Sequence, residues 1–302
     1  MPLSGSQFRY NFLSVRFCSD RMNPSRFCAL ANSEFRPKYL GPGLFTKRAI
    51  LMELQLQNVG RIFVWEWAVK NVTTQLPGGT CLCLLGANGS GKSTLLNLMG
   101  GVMRPSQGTI RLNEQKLRFG ATNVRRRMML IHPDQAIMGQ SPEEHLGAAI
   151  SLYDCDHEGI EHEVEKWLTQ FDLLGKLGAA PSNKKQKMSR GQLSKLWLTT
   201  LFVVRPDVWL LDEPHQCGLD AFGIETLEEQ IREHCDAGGI VVFTSQWPPH
   251  ARRLADQVLV LNKGEAAYQG GIDGISLRFG SNDPGLASIV RLLESQSVES
   301  VS

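Results

Sequence analysis

The alternation of apolar and polar residues becomes regular at Met52 and predicts strands there. Leucines alternate with polar residues in "MELQLQNV", as in a strand with one buried face, and "WAVKNVTTQL" repeats the pattern after the turn "RIFVWEW". We expect these two strands to pair antiparallel. The continuous apolar run "TCLCLLG" ends in Gly86 and is typical of a buried central strand.

Helical and strand patterns then alternate along the chain. Leu95, Leu96, Met99 and Val102 lie at helical spacing after a glycine-rich loop. Further on, the apolar runs "VWLLD", "GIVVFTS" and "QVLVLN" are separated by helical stretches. Such alternation is typical of a mainly parallel sheet with helices on both faces, preceded here by an antiparallel β subdomain.

The segment from about 139 to 192 differs from its surroundings. Its stretches "SPEEHLGAAISLY" and "GIEHEVEKWLTQFDLLGKL" are helical and polar, and it contains no clear strand. We interpret it as a helical subdomain inserted into an α/β domain that spans 52–270, followed by a polar tail at 271–302.

Residues 1–51 form a basic arm with two interpretations. The arm carries eight Lys and Arg residues against two Asp and Glu, and it is interrupted by Pro and Gly. That composition is typical of an organellar transit peptide. The alternative is that translation begins at Met52, directly before the first strand. In either case the arm is excluded from the fold prediction.

Composition and charge narrow the functional classes. The 302 residues are 42% hydrophobic, which is enough for a sizeable core. The net charge is +2, and since the arm is basic the rest of the chain is net negative, so no nucleic-acid partner is indicated. Seven cysteines without metal-ligand spacing favour free thiols. Apolar runs of the roughly 18 residues that a membrane helix needs are absent from the sequence.

The loop after the third predicted strand has the composition of a phosphate cradle. "GANGSGKS" matches G-x-x-x-x-G-K-S, whose glycines let successive N–H groups turn onto one anion at the start of a helix. Lys92 is expected to reach the β- and γ-phosphates of ATP, and Ser93 to bind Mg²⁺. The predicted ATP-binding residues of this loop are Gly86, Ala87, Asn88, Gly89, Ser90, Gly91, Lys92, Ser93 and Thr94.

Two acidic residues supply the other half of this predicted site. Asp212 and Glu213 follow the apolar strand "VWLL". A carboxylate at the end of a buried strand can hold Mg²⁺, so Asp212 is predicted to do so together with Ser93. Glu213 is predicted to be the catalytic base that polarises the attacking water.

The order of "GANGSGKST", "MSRGQ", "VWLLDEP" and "GLD" resembles that of the nucleotide-binding domain of an ATP-binding cassette (ABC) transporter. The resemblance covers about residues 52 to 265. It implies a P-loop ATPase fold, ATP hydrolysis with Mg²⁺, and a peripheral place at the cytoplasmic face of a membrane. It also implies two partners, an integral membrane permease subunit and a second ATP-binding subunit.

The resemblance assigns roles to further residues. Ser189, Gly191 and Gln192 of "MSRGQ" would close over the γ-phosphate held by a second subunit, and Ser189 is expected to cap the helix that begins there. An aromatic residue after the first strand would stack on adenine. Phe63 fits that position best, and Trp65 is the alternative.

Two positions depart from the family pattern. Ile131 aligns with the family's Mg²⁺-linked glutamine, and His132 and Gln135 are neighbours able to substitute for it. Gln246 stands where the family has a switch histidine. Because an amide cannot carry a proton as imidazolium does, we expect Gln246 to orient groups in a slow hydrolysis. His250 could replace the imidazole, although its position after two prolines favours a solvent-facing side chain.

Several functions remain open, both among transporter ATPases and outside transport. "HPDQAIMGQSPEEHL" is similar to the loop of energy-coupling-factor importers, whereas "RPDVWLLDEP" and "GGIVVFTS" resemble the haem-exporter ATPase of cytochrome c maturation. A soluble ABC-fold ATPase without transport is the second hypothesis. A nucleotide-binding subunit with weak turnover is the third, motivated by Ile131 and Gln246.

Overall fold

The computed structural model describes residues 52–118, 122–133, 135–139, 141–155, 159–174, 188–246, 248–272 and 274. The predicted arm at 1–51 and nearly all of the predicted tail lie outside the described residues. The described chain forms two compact units, one within Ala136–Val204 and the other from the remaining residues. The α/β class, with its antiparallel and helical additions, is confirmed.

The larger unit contains two sheets, whose strands have the bounds that follow. They are β1 Glu53–Phe63, β2 Glu66–Pro77, β3 Cys81–Leu85, β4 Gln107–Leu112, β5 Gln115–Lys116, β6 Met128–Ile131, β7 Val208–Leu211, β8 Ile240–Ser245, β9 Gln257–Asn262 and β10 Glu265–Gly270.

The first sheet has the order β2-β1-β4-β5 and is antiparallel throughout. The alternating sequence explains it, because Leu54, Leu56 and Val59 of β1 are buried while intervening polar residues are not. The prediction that β1 and β2 pair antiparallel is confirmed.

The second sheet has the order β10-β9-β3-β8-β7-β6. Strands β9, β3, β8, β7 and β6 are parallel, and β10 adds an antiparallel edge. All residues of β3, β7 and β8 are buried, as their continuous apolar sequences predict. The carboxyl ends of these three central strands therefore meet at one edge of the sheet.

Helices of the larger unit connect these strands. Their bounds are α1 Lys92–Met99, α2 Thr122–Arg125, α6 Ala221–Asp236 and α7 Pro248–Leu254, with a 3-10 turn at Pro214–Gln216. Helix α1 ends at Met99 because Gly100 and Gly101 follow, the latter with a φ of +64°. Val102 is consequently exposed, although its spacing predicted that it would continue the apolar face.

The smaller unit is helical. It contains α3 Pro142–Tyr153, α4 Ile160–Gln170 and α5 Arg190–Val204. Both α3 and α4 pack against α5, and the rings of Trp167 and Phe202 approach to 4.7 Å between centroids. The inserted helical subdomain predicted as part of the fold class is therefore present, whereas the exact domain boundaries stay predictions.

Candidate functional site

The predicted phosphate loop connects β3 to α1 at the carboxyl edge of the parallel sheet. Gly91 precedes α1 with a φ of +104°, and a Cβ at this position would come within 2.3 Å of the Ala68 carbonyl oxygen. Only glycine satisfies both conditions. The conformation of the loop therefore requires glycine at position 91, and helix α1 begins directly after it.

Two polar groups of this loop fit a phosphate ligand. Lys92 is buried, and its Nζ donates hydrogen bonds of 2.8 Å to the carbonyl oxygens of Gly86 and Ala87. Burial lowers the pKa of Lys92, partly offset by Glu213 and Asp212. The Ser90 hydroxyl is also buried and has no hydrogen-bond partner in the described structure. An unpaired buried hydroxyl is costly, so an acceptor from a ligand would be favourable there.

Asp212 lies at the end of β7 and joins the loop to the neighbouring strand. Ser93 Oγ and Thr244 Oγ1 donate to Asp212 Oδ1 at 3.1 and 2.7 Å. Burial alone would raise the pKa of Asp212, but the contacts with His132, Thr244 and Ser93 outweigh it, and the net pKa is lowered. Asp212 is thus an ionised carboxylate beside Ser93, which is the pairing that a Mg²⁺ site needs.

His132, and not Ile131, reaches this carboxylate. The Nδ1 atom of His132 lies 3.1 Å from Asp212 Oδ2, and its Nε2 lies 3.2 Å from Asn97 Oδ1. Ile131 is the last residue of β6, pairs with Leu211 and is buried. Gln135 is linked to this carboxylate only through His132, because its Oε1 accepts a hydrogen bond from the His132 backbone N–H at 3.2 Å.

Glu213 and Gln246 are brought together at the ends of β7 and β8. Glu213 has a φ of +46°, a left-handed conformation that costs a non-glycine residue about 1–2 kcal/mol. Its backbone N–H donates to Thr244 Oγ1 at 2.8 Å, which holds the strained turn in place. Gln246 Nε2 donates a hydrogen bond to Glu213 Oε1. The two predicted catalytic residues are therefore in direct contact.

His250 was expected to face solvent, but its side chain is only partly exposed. Its ring stacks on that of His215, with centroids 3.7 Å apart and an interplanar angle of 17°. The His215 side chain is almost fully buried, and its Nε2 lies 3.4 Å from Glu228 Oε1. His250 therefore contacts the segment that follows Glu213.

The predicted signature residues begin helix α5 of the smaller unit. Gln192 N–H donates to Ser189 Oγ at 3.3 Å, and Ser189 N–H donates to Gln192 Oε1 at 2.9 Å. This reciprocal pair is a capping box, so the prediction that Ser189 caps the helix is confirmed. Gly191 lies in the first turn of α5, and Ser189 is exposed.

The aromatic candidates lie at the tip of the β1–β2 hairpin. Phe63 is 41% exposed and Trp65 is 88% exposed, so neither serves as a core residue. The Arg61 guanidinium lies 4.9 Å from the centroid of the Phe63 ring, a cation–π contact that holds this ring in place. Both aromatic side chains are accessible to a ligand.

Sequence reasoning missed two residues of the site. Thr244 joins Asp212 to the Glu213 backbone, and Asn97 joins His132 to the loop helix, because Asn97 Nδ2 donates to the Ser93 carbonyl oxygen at 2.7 Å. A signal for Asn97 existed, since it lies four residues after Ser93 on the same helix face. A signal for Thr244 was its place as the polar residue near the end of the apolar run "GIVVFTS".

Comparison with known proteins identifies similar sequences. A family model described as ABC transporter matches residues 69–216. The cytochrome c biogenesis ATP-binding export protein CcmA of Idiomarina loihiensis is 30% identical over 58% of this chain and 77% of its own length. The energy-coupling factor transporter ATP-binding protein EcfA1 of Geobacillus kaustophilus is 29% identical over 68% of this chain and 73% of its own.

A solved structure is similar over most of the chain. The ATP-binding subunit of an ABC transporter superimposes with a TM-score of 0.72 and 26% identity, and the match covers 80% of this chain and 99% of that one. Among the described helices of the present chain, none combines the length and hydrophobicity needed to cross a bilayer.

Proposed function

The chain belongs to the family of ABC transporter ATP-binding proteins, and on this premise we propose that it hydrolyses ATP to drive transport through a separate membrane subunit. In this proposal the nucleotide binds with Mg²⁺ at the carboxyl edge of the parallel sheet. Hydrolysis takes place at the γ-phosphate, and the permease receives the resulting conformational change.

One observation carries this proposal. A continuous hydrogen-bond network runs from Ser93 through Asp212 and Thr244 to the Glu213 backbone, and Gln246 contacts the Glu213 side chain. The network connects the phosphate loop, β7 and β8, which are separate in sequence. A phosphate-binding group, a cation-binding carboxylate and a candidate base are thereby held at one place.

Each residue has a chemical role in the proposed reaction. Lys92 exchanges its two carbonyl acceptors for phosphate oxygens, which are stronger partners because they are charged. Ser93 and Asp212 would hold Mg²⁺, which supplies positive charge beside the phosphates. Glu213 accepts a proton from the attacking water, and Gln246 orients the carboxylate through its amide.

A second subunit completes the proposed site. Helix α5 begins at the capped residue Ser189, so its N-terminus carries partial positive charge on an exposed surface. Such an end favours the γ-phosphate of a nucleotide held by another copy or a related subunit. Phe63, or Trp65 beside it, would stack on the adenine. In this proposal the chain is a peripheral subunit at the cytoplasmic face of a membrane.

One contact favours slow ATP hydrolysis. Gln246 Nε2 donates a hydrogen bond to Glu213 Oε1, and this amide cannot take up a proton during the reaction. The alternative function is therefore a nucleotide-binding subunit with weak turnover beside a more active partner.

Calorimetric titration with ATP and Mg²⁺ tests the binding step. Replacing Lys92 by Ala removes a charge-assisted contact worth about 1.5–3 kcal/mol, so Kd should rise by about 10- to 160-fold. Lys116→Ala, which removes an exposed lysine of β5, is the matched control and should bind as wild type. Equal ATP affinity in wild type and Lys92→Ala would show that the loop does not bind the nucleotide.

A further inference from the structure

The imidazole of His132 lies between two oxygen acceptors. Its Nδ1 is 3.1 Å from Asp212 Oδ2 and its Nε2 is 3.2 Å from Asn97 Oδ1. Asn97 cannot turn its amide around without cost, because its Nδ2 donates to the Ser93 carbonyl oxygen at 2.7 Å. Both ring nitrogens therefore face atoms that only accept hydrogen bonds.

A neutral imidazole has a single N–H and can donate to only one of these oxygens. If the proton is on Nε2, Asn97 is satisfied and the lone pair of Nδ1 points at the Asp212 carboxylate. A divalent cation bound by both Nδ1 and Oδ2 would then satisfy the lone pair and the carboxylate together.

The surroundings match those of a metal-binding histidine. A histidine ligand usually donates its other ring N–H to an oxygen acceptor, which fixes the ring and its tautomer, and Asn97 Oδ1 is that acceptor here. Two ligands at about 2.1 Å from one ion stand about 3.0 Å apart in neighbouring octahedral positions. The Nδ1–Oδ2 separation of 3.1 Å agrees with this spacing.

We propose that His132 Nδ1 is a direct ligand of the divalent cation that accompanies the nucleotide, so that this site favours Mn²⁺ over Mg²⁺ more than an all-oxygen site does. The proposal rests on the proposed function, because the cation would arrive with the phosphates. The described parts of the chain contain no group of three or more His, Cys, Asp or Glu side chains able to hold a metal ion. Ser93 Oγ, phosphate oxygens and waters would therefore complete the coordination.

The expected selectivity follows from ligand chemistry. Mg²⁺ prefers oxygen ligands and gives up its water reluctantly, whereas imidazole binds first-row transition ions well. Replacing one oxygen ligand by nitrogen should weaken Mg²⁺ binding relative to Mn²⁺. His132 would thus set the metal preference of the site.

Pulsed electron paramagnetic resonance of Mn²⁺ with ADP tests the ligand directly. The full-length protein with Mn²⁺ and ADP should show ¹⁴N coupling from a bound imidazole, and the coupling should change to that of ¹⁵N when the protein is labelled with ¹⁵N-histidine. It should vanish in His132→Gln and persist in His162→Gln, where the same change is made at an exposed position on α4. If His132→Gln fails to fold, the labelled wild-type protein still shows whether a histidine nitrogen binds Mn²⁺, and the absence of a ¹⁵N coupling overturns the proposal.

Affinities measured in parallel separate the two proposals. With saturating ADP, the ratio of Mg²⁺ to Mn²⁺ dissociation constants should fall by about tenfold in His132→Gln compared with wild type. Bound Mn²⁺–ADP without ¹⁴N coupling overturns the role of His132 and leaves the proposed function intact. Absence of ADP binding with either cation overturns both, and an unchanged ratio in His132→Gln overturns the selectivity.

Discussion

At the residue scale, the candidate site is set by side chains whose hydrogen bonds leave few alternatives. The Thr244 hydroxyl accepts a hydrogen bond from the Glu213 backbone N–H and donates its own proton to Asp212. Gln246 presents its amide N–H to Glu213. The Glu213 carboxylate, the candidate base, is therefore held by a group that cannot carry the proton.

Replacing Gln246 by His should raise kcat by about 10- to 100-fold, which corresponds to about 1.4–2.7 kcal/mol of barrier. An imidazole can become charged during the reaction, whereas the amide cannot, and this difference acts on the transition state rather than on binding. ATP affinity should remain unchanged. Steady-state ATPase rates and calorimetry measure the two quantities, and an unchanged or lower kcat in Gln246→His would contradict the interpretation of this position.

A second prediction at this scale concerns His145, which is fully buried in the helical unit. Nδ1 of His145 accepts from the Met138 N–H at 3.1 Å, so its Nε2–H donates to Thr200 Oγ1 at 3.0 Å, and Thr200 in turn donates to the Leu196 carbonyl oxygen. Burial lowers the pKa of His145 from 6.5 to about 4. A proton on Nδ1 would remove the contact with Met138.

The contribution of neutral His145 to the free energy of unfolding should therefore be fully present above pH 6.5 and be lost as the pH falls toward 4. In that range the unfolded chain binds a proton at this residue and the folded chain does not, so lowering the pH favours unfolding. Between pH 7.5 and pH 5 we expect a loss of about 2 kcal/mol from this group. Urea unfolding of wild type and His145→Gln at both pH values isolates the contribution of His145. The contributions of His215 and His234 are present in both proteins and cancel in the comparison. An equal pH effect in the two proteins would contradict the assignment.

At the scale of elements, helix α7 is attached to the turn that carries Glu213. The stacked rings of His215 and His250 join the two, and Glu228 of α6 contacts both His215 and Arg253. His215 lies two residues after Glu213, and α7 begins two residues after Gln246. The cluster therefore joins the segments that directly follow the two catalytic candidates.

The variant His250→Ala, which removes the ring, should lower kcat several-fold. ATP affinity should not change, because the phosphate loop is not in this cluster. His250→Phe should restore most of the rate, since the stacked area matters and the charge does not. His162→Ala on α4 is the matched control. Comparison of kcat and KM for the four proteins measures the effect, and a wild-type rate in His250→Ala would exclude a positioning role.

At the scale of the whole molecule, the proposed reaction needs a second subunit. Ser189 and Glu213 belong to different compact units of the chain, and the capped start of α5 is exposed. In the proposed arrangement each nucleotide lies between the loop of one subunit and the α5 N-terminus of another. In this proposal ATP would join the two subunits, and hydrolysis would separate them.

Glu213→Gln should retain ATP and prolong the dimer, because the amide cannot accept the proton of the attacking water. Sedimentation velocity with excess ATP and Mg²⁺ should show a dimer for Glu213→Gln and a smaller dimeric fraction for wild type. The double variant Glu213→Gln with Ser189→Arg, whose bulky charge would meet the γ-phosphate and the loop, should be monomeric. If the double variant forms as much dimer as Glu213→Gln alone, Ser189 does not lie at the contact between the two subunits.

The sequence by itself determined the order of strands and helices and the place of the phosphate loop. Short continuous apolar runs are typical of buried strands in a covered sheet. Glycines with positive φ mark the loop without reference to distant residues. Ser189 was predictable as a cap because its partner Gln192 is three residues away. Such local rules need no knowledge of the tertiary fold.

Only the tertiary structure decided which side chains meet across the sheet edge. Alignment favoured Ile131, yet the register of β6 with β7 buries that side chain and leaves His132, just past the strand, facing Asp212 eighty positions further along the chain. The stacking of His250 on His215 likewise depends on how α7 packs. Contacts between residues so far apart are set by strand register and helix packing, and the identities of the residues alone do not encode them locally.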